Sequence, residues 1–118
     1  MLNRGPLAAE ARANIIAMEA AQGFELIEDA AWLDWHDWHE GSVFTQDARR
    51  VRLVLLDARQ PGKGAFTRLI AKLHACNMTP VLVEPSQTLE DWAKRHSYRS
   101  RKIGKGQFRQ EIWYPRPG

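Results

Sequence analysis

The chain has 118 residues, the length of one ordinary domain, and its 44% hydrophobic and 26% charged residues are typical of a globular protein and exclude a disordered one. The single cysteine, Cys76, excludes an intramolecular disulfide and a cysteine-rich zinc site. No apolar run approaches the roughly 18 residues of a membrane span, and residues 1–6 lack the apolar stretch of a secretory signal. We expect one cytoplasmic domain over residues 1–118, without a membrane partner.

Charge is divided unevenly along the chain, although the net charge is only +3. Residues 1–40 contain two basic and eight acidic side chains, whereas residues 41–118 contain fifteen basic and six acidic ones. We therefore expect the second half to face an anionic ligand or partner.

The first half of the chain predicts one clear helix. Residues 7–22 are rich in alanine and lie between Pro6 and Gly23, which are favoured at the start and the end of a helix respectively. Apolar residues recur at helical spacing along this stretch: Leu7, Ala11, Ile15 and Met18. Residues 24–27 are a candidate short strand, and residues 32–40 fit neither pattern clearly.

The second half predicts a strand, a loop, a helix and a second strand. Two compact apolar runs, Val51–Leu56 and Pro80–Glu84, have the length and the branched residues of buried strands. Between them, helical spacing predicts an amphipathic helix with a packed core thiol: Phe66, Leu69, Ile70, Leu73 and Cys76. The two strands are then parallel neighbours joined by a right-handed crossover. A helix around residues 89–96 and a strand over residues 108–114 complete an α/β pattern.

A glycine-rich loop, Arg59–Gly64, joins the first of these strands to the helix. Gly62 and Gly64 permit a tight turn and a close approach of a ligand to the main chain, and a helix begins with unpaired N–H groups. With the charge of Lys63, this suits a phosphate or pyrophosphate, although a plain strand-to-helix turn would need the same glycines. No Lys-Ser/Thr pair follows, as a P-loop requires, and Thr67 replaces the third glycine of a dinucleotide-binding fingerprint.

The order Arg/Gln-x-x-Gly-x-Gly/Ala between a strand and an amphipathic helix resembles the acetyl-CoA-binding signature of the GNAT family of N-acetyltransferases, and Arg59, Gly62 and Gly64 match it. Further positions resemble the family's next helix: Ser86, Leu89, Trp92, Ser97 and Tyr98. The resemblance covers residues 51–114, and residues 1–50 are a divergent N-terminal part. It implies an α/β fold, namely a GNAT-like mixed, twisted sheet with helices on both faces.

The resemblance also implies an activity, which is transfer of an acetyl group from acetyl-CoA to a protein or small-molecule amine. Main-chain groups of Leu55, Leu56 and Asp57 would bind the pantetheine arm. The pyrophosphate would lie on the loop and the helix start, formed by Arg59, Gln60, Gly62, Lys63, Gly64 and Ala65. A basic side chain would meet the ribose phosphate, and the candidates are Lys63, Arg68 and Arg95.

The sequence departs from the family at its catalytic positions. The tyrosine that protonates the departing thiolate falls on Ala93, and the strand over residues 51–56 contains no glutamate to act as a base. Glu84 is the nearest carboxylate in register and is the candidate catalytic residue, while Tyr98 aligns with a core aromatic. A second hypothesis therefore stays open: a catalytically inactive GNAT-like protein, such as a bacteriophage virion component or host-defence inhibitor, that binds a protein or nucleic acid.

Residues 32–40 combine three tryptophans, two histidines and three acids. As a helix, His36, His39 and Glu40 would share one face, as a divalent-metal site requires, but no zincin spacing is present and we expect no metal. The alternatives are an aromatic, acidic wall for a cationic amine acceptor, packed aromatics on a half-exposed element, or a partner surface.

Positive charge is densest over residues 94–109, where Tyr98 and Phe108 are interleaved with seven basic residues: Lys94, Arg95, Arg99, Arg101, Lys102, Lys105 and Arg109. Nucleic acid would suit this segment, as would the phosphates of CoA or solvent alone.

Overall fold

The computed structural model describes the main chain of residues 6–116 and the side chains of residues 9–116. The elements within them are, in order, α1 (Pro6–Ala21), β1 (Glu25–Leu26), β2 (Val43–Asp47), β3 (Arg50–Leu55), α2 (Ala65–Ala75), β4 (Thr79–Val83), α3 (Gln87–Arg95), β5 (Arg99–Ile103), a 3-10 helix (Gly106–Phe108) and β6 (Gln110–Tyr114). Each predicted element is present within two residues of its expected ends, and β2 and β5 were not predicted. Of the described helices, none combines the length and the apolar character needed to cross a bilayer.

The strands form one mixed sheet in the order β1-β2-β3-β4-β6-β5. β3 and β4 are parallel neighbours, as the crossover through α2 predicts, and their pairing runs from Arg50 and Thr79 to Leu53 and Leu82. The other neighbouring strands are antiparallel. With α2 and α3 packed on one face and α1 on the other, the predicted α/β class with a mixed sheet and helices on both faces is confirmed.

The face that carries α2 and α3 holds the main hydrophobic core. Since alternate residues of a strand point to the same face, Val51 and Leu53 of β3 lie together with Leu82 of β4 beneath these helices. The helices contribute the buried side chains that cover them: Ala65, Leu69, Ile70, Leu73 and Ala93. This packing fixes the start of α2 against the end of β3, where the glycine loop lies.

The opposite face carries a buried ion pair between α1 and the centre of the sheet. Arg52 and Glu19 have 4% and 1% of their side chains exposed, and two guanidinium nitrogens donate to the two carboxylate oxygens at 2.8 Å each. Thr45 donates to Glu19 at 2.6 Å, Gln110 accepts from Arg52 at 2.8 Å, and the Phe24 ring lies 3.9 Å from the guanidinium carbon. Buried charge is tolerated here because its polar atoms are hydrogen-bonded.

One expectation about a single side chain is wrong. Cys76 is exposed, because α2 ends at Ala75 and its buried stripe ends at Leu73. Of the apolar residues at helical spacing in α1, Ala11 is exposed and the side chain of Leu7 lies outside the described residues.

Candidate functional site

The sheet opens at the carboxyl ends of its two parallel strands. β3 pairs with β4 as far as Leu53 and Leu82. Beyond these residues β3 stays paired with β2 only, and β4 stays paired with β6 only. A register shift between β2 and β3 makes Val54 an extra residue in β3, and such a bulge bends a strand. Leu55 lies next to it. Its apolar side chain is 40% exposed, and no other large apolar side chain of the described residues is classed as exposed. Carboxyl ends of parallel strands are where α/β sheets bind ligands.

The glycine loop lies beside this opening and leads directly into α2. Gly62 and Gly64 have φ of 78° and 82°, a left-handed conformation that side chains disfavour. Gly64 caps α2 without a side-chain hydrogen bond to its first turn, so the first amides of the helix, at Ala65 and the next two residues, have no partner within the helix. The loop and helix start therefore present N–H groups that suit an anion.

The arginines of the loop region are already neutralised. Arg59 donates to Glu40 at 2.9 Å and to the Trp35 carbonyl at 2.8 Å. Arg68 holds both oxygens of Asp37, at 3.1 and 2.7 Å, and the Lys63 carbonyl at 2.7 Å. The hydrogen bonds from Arg68 hold the pKa of Asp37 below its ordinary value.

Lys63 is left as the exposed cation of the loop without a carboxylate partner among the described residues. A pocket of about 110 Å³ lies beside the Arg68–Asp37 pair, at the start of α2, and its lining is His36, Asp37, Gln60, Ala65 and Arg68. An anion that enters this pocket meets a guanidinium whose charge is shared with Asp37.

Asp37→Asn is expected to strengthen the binding of pyrophosphate about two- to fivefold. The substitution removes the carboxylate that competes for Arg68, and because a partly exposed ion pair is a weak interaction, the gain is modest. Isothermal titration with pyrophosphate measures the change. Asp34→Asn is the matched control, because Asp34 lies on the same segment and contacts His36 and Lys72 instead. Equal or weaker binding by Asp37→Asn would show that Arg68 does not meet the anion.

The main chain after β3 is bonded to the segment that precedes β2. The Asp57 N–H donates to Ser42 Oγ at 2.9 Å, and its carbonyl accepts from the His39 N–H at 2.8 Å. Arg59 N–H donates to the Asp37 carbonyl at 2.9 Å. Of the three residues predicted to meet pantetheine, Asp57 thus holds the tryptophan-rich segment, whereas Leu55 and Leu56 lie at the opening of the sheet.

The tryptophans of residues 32–40 pack around one phenylalanine. Trp32, Trp35 and Trp38 each place a ring edge-on to Phe44, with centroids 5.8, 5.9 and 6.0 Å away. Trp32, Trp38 and Phe44 are buried, and the segment is a series of turns with a single bridge from Trp38 to Ala58. Packed aromatics are therefore the correct alternative for this segment, in place of an open aromatic wall.

The histidines of the same segment do not converge. His36 is 98% exposed and its Nδ1 lies 2.9 Å from Asp34 Oδ1. Within the described part of the chain, no group of three or more His, Cys, Asp or Glu side chains is arranged to hold a metal ion. The helical face of His36, His39 and Glu40 that the sequence allowed is not formed, because this segment is not a helix.

Glu84 lies at the end of β4, beside the opening and exposed. Its N–H donates to the Glu111 carbonyl at 2.9 Å, and its own Oε1 accepts from the Glu111 N–H at 2.8 Å. Its φ of 45° is unusual for a residue with a side chain. The carboxylate is thereby fixed against β6 by a charge-assisted hydrogen bond.

The two remaining positions of interest lie in or beside α3. Ala93 is fully buried on the face of α3 that packs on the sheet, so this position faces the core. Tyr98 is half-buried and packs edge-on to Trp92 at 5.1 Å, and burial raises its pKa to about 12. A phenol in that environment stays protonated at neutral pH and serves mainly as a packed aromatic.

Sequence reasoning missed the three arginine–carboxylate contacts that organise this region, formed by Arg52, Arg59 and Arg68. The one signal was Arg52 itself, a charge inside an apolar strand. A buried charge needs a partner, but the sequence does not say that the partner is Glu19, 33 residues away.

Comparison with known proteins gives little further information. No family model and no curated protein matches the chain. Among solved structures, the chain is similar to that of an acetyltransferase candidate from Agrobacterium tumefaciens, with 13% identity and a TM-score of 0.44 over 97% of this chain and 92% of that one. At that TM-score the likeness carries no argument, and the fold assignment rests on the strand order and register described above.

Proposed function

We propose that the protein binds acetyl-CoA at the opening between β3 and β4 and transfers the acetyl group to an amine. The observation that supports this most is the combination of two parallel strands that separate after Leu53 and Leu82 with a left-handed glycine loop at the end of β3. The first offers room for an extended arm, and the second offers amides for a pyrophosphate. The sequence resemblance to the GNAT family points to the same ligand.

In this proposal the ligand lies along the end of β3 and the start of α2. Main-chain groups at Leu55 and Leu56 meet the pantetheine arm. The pyrophosphate lies on the turn that Gly62 and Gly64 form, where an added Cβ at Gly62 would meet nothing within 4 Å, and Lys63 supplies the nearby positive charge. The proposed acetyl-CoA site thus relies on main-chain amides more than on arginine side chains.

The chemistry proposed for Glu84 is that of a base. The amine nitrogen attacks the thioester carbonyl, the carbon–sulfur bond breaks, and the proton of the amine moves to the carboxylate while the thiolate takes a proton from solvent. Glu84 Oε1 is held by Glu111, so Oε2 is the oxygen that would accept the proton. Orientation of the two reactants supplies the rest of the rate enhancement.

A second candidate function is acyl-CoA binding without transfer. The observation in its favour is the buried position of Ala93, since no phenol stands where the resembling family places its acid. Release of free thiol from acetyl-CoA in the presence of a panel of amines separates the two: binding with no thiol release for any amine would favour the non-catalytic function.

Gly62→Glu is expected to weaken acetyl-CoA binding at least tenfold, because it places a carboxylate on the turn that would hold the pyrophosphate. Isothermal titration measures the change. Gly23→Glu is the matched control, since Gly23 also has positive φ with nothing within 4 Å of an added Cβ, and it lies after α1, away from the loop. No binding by the unchanged protein at millimolar ligand, or equal losses in the two variants, would contradict the proposal.

A further inference from the structure

One edge of the sheet carries positive charge that no carboxylate of the described residues neutralises. β5 is the edge strand and pairs with β6 alone, and its residues from Arg99 to Lys102 are exposed. Among the described residues, no carboxylate lies within 4.0 Å of six exposed cations on or beside this strand. We call them the basic edge: Arg95, Arg99, Arg101, Lys102, Lys105 and Arg109.

Elsewhere most of the positive charge is compensated. Five cations of residues 50–72 each lie within 4.0 Å of a carboxylate: Arg50, Arg52, Arg59, Arg68 and Lys72. Glu111 of β6 lies opposite Lys102 of β5. Its carboxylate accepts a hydrogen bond from Trp113 Nε1, and its main-chain N–H donates to the Glu84 carboxylate. The surplus of the second half is therefore concentrated on the basic edge rather than around the glycine loop.

The geometry of β5 decides what kind of anion fits. Side chains alternate between faces, so Arg99 and Arg101 project from one face of the sheet and Lys102 from the other. The outer side of the strand offers main-chain N–H and C=O groups, as every sheet edge does. We propose that the basic edge binds an extended acidic polypeptide segment, which adds to β5 as a further strand and places its carboxylates beside the cations on both faces.

Nucleic acid fits this edge less well. Single strands need exposed aromatic rings for base stacking, and no Phe, Tyr or Trp side chain of the described residues is exposed. Tyr114, which pairs with Arg99 of β5, is half-buried with Arg101 5.5 Å above its ring. A two-stranded ribbon can enter the major groove of a duplex, but β6 is held between β4 and β5 and the pair is not free to do so.

Three fluorescent probes test the proposal by anisotropy. They are a ten-residue Glu-Thr peptide of the pattern EETTEETTEE, which places Glu on both faces of a strand, a ten-residue Glu-Pro peptide of the pattern EEPPEEPPEE, and a single-stranded oligonucleotide with six phosphates. The two peptides carry the same charge, but proline removes the N–H groups that a strand needs. We expect the Glu-Thr peptide to bind more tightly than the other two, and more weakly as salt is raised. Equal affinity for the two peptides, preference for the oligonucleotide, or no binding of the Glu-Thr peptide would overturn the proposal.

Two double variants locate the site. Arg99→Glu with Arg101→Glu is expected to reduce Glu-Thr peptide affinity about tenfold, because two attractive cross-strand pairs become repulsive. Arg49→Glu with Arg50→Glu makes the same change of charge at two exposed cations in and beside the turn between β2 and β3, away from β5, and should retain the affinity. Equal losses in both would indicate attraction to net charge alone and would also overturn the proposal. The test is independent of the acetyl-CoA site, because it uses no acyl donor.

Discussion

Arg52→Met is expected to reduce the free energy of unfolding by about 3–5 kcal/mol, because it leaves the Glu19 carboxylate buried without its partner. Glu19 is 1% exposed and Arg52 supplies two of its three side-chain hydrogen bonds. Since a domain of this size is stabilised by roughly 5–15 kcal/mol, the loss is a large part of the total. Urea denaturation at pH 7 measures it.

The pH dependence of unfolding in Arg52→Met shows whether the loss comes from the unpaired Glu19 carboxylate or from lost packing. In the unchanged protein, burial raises the pKa of Glu19, but hydrogen bonds from Arg52 and Thr45 outweigh burial and leave that pKa below its ordinary value of 4.5. The pair therefore stabilises the fold above pH 4.5, and this stability is lost as the pH falls through the folded-state pKa. In Arg52→Met burial dominates, the pKa rises, and the variant should become more stable as the pH is lowered from 7 toward 5.

The double variant Glu19→Leu with Arg52→Met is the control for this result. Replacement of both charges by apolar side chains removes the unpaired carboxylate, and such replacements are often neutral or stabilising. We expect the double variant to recover most of the lost stability and to lose the inverted pH dependence. A double variant as unstable as Arg52→Met would mean that the shape of Arg52, including its contact with Phe24, matters more than charge pairing.

Phe44→Ala is expected to cost about 3–5 kcal/mol of folding stability, since a buried aromatic is removed and a cavity remains. Phe44 is fully buried, and the rings of Trp32, Trp35 and Trp38 all meet its side chain. The cavity would loosen all three tryptophans, so their fluorescence should shift to longer wavelength along with the loss measured by urea denaturation.

Phe66→Ala is the matched comparison, because Phe66 is a half-buried phenylalanine at the start of α2 whose ring lies edge-on to Trp92. It should cost clearly less and, when both substitutions are made in a Trp92→Phe background, shift the emission less than Phe44→Ala does. Similar costs for the two substitutions would show that the tryptophan-rich segment is not organised around Phe44.

The parts of the fold that the sequence predicts are those in which local pattern and packing agree. β3, α2 and β4 combine apolar periodicity with a glycine loop, and the parallel pairing follows from their order. β5 could not be predicted, because Arg99–Lys102 is exposed on both faces and carries none of the apolar alternation by which strands are recognised. β2 was missed because its pattern, from Val43 to Asp47, depends on a partner strand later in the chain.

The candidate site also has one part that the sequence predicts and one part that it does not. The left-handed turn at Gly62 and Gly64 follows from composition, since glycine is the residue that adopts positive φ freely. The neutralisation of Arg59 and Arg68 could not be foreseen, because Glu40 and Asp37 reach them from a segment of turns that no periodicity describes. Spatial proximity of distant charges is a property of the tertiary fold and leaves no local mark.

Four ion pairs join the first half of the chain to the second, so a fragment cut at residue 50 would lose them. Glu19, Asp34, Asp37 and Glu40 come from residues 1–50, and their partners come from residues 52–72. A fragment that begins at residue 51 would keep the glycine loop, but four of its cations would lose their carboxylates and β3 would become an edge strand. Residues 51–114 thus depend on the first half for both charge pairing and strand pairing, and we expect the two halves to change together during evolution.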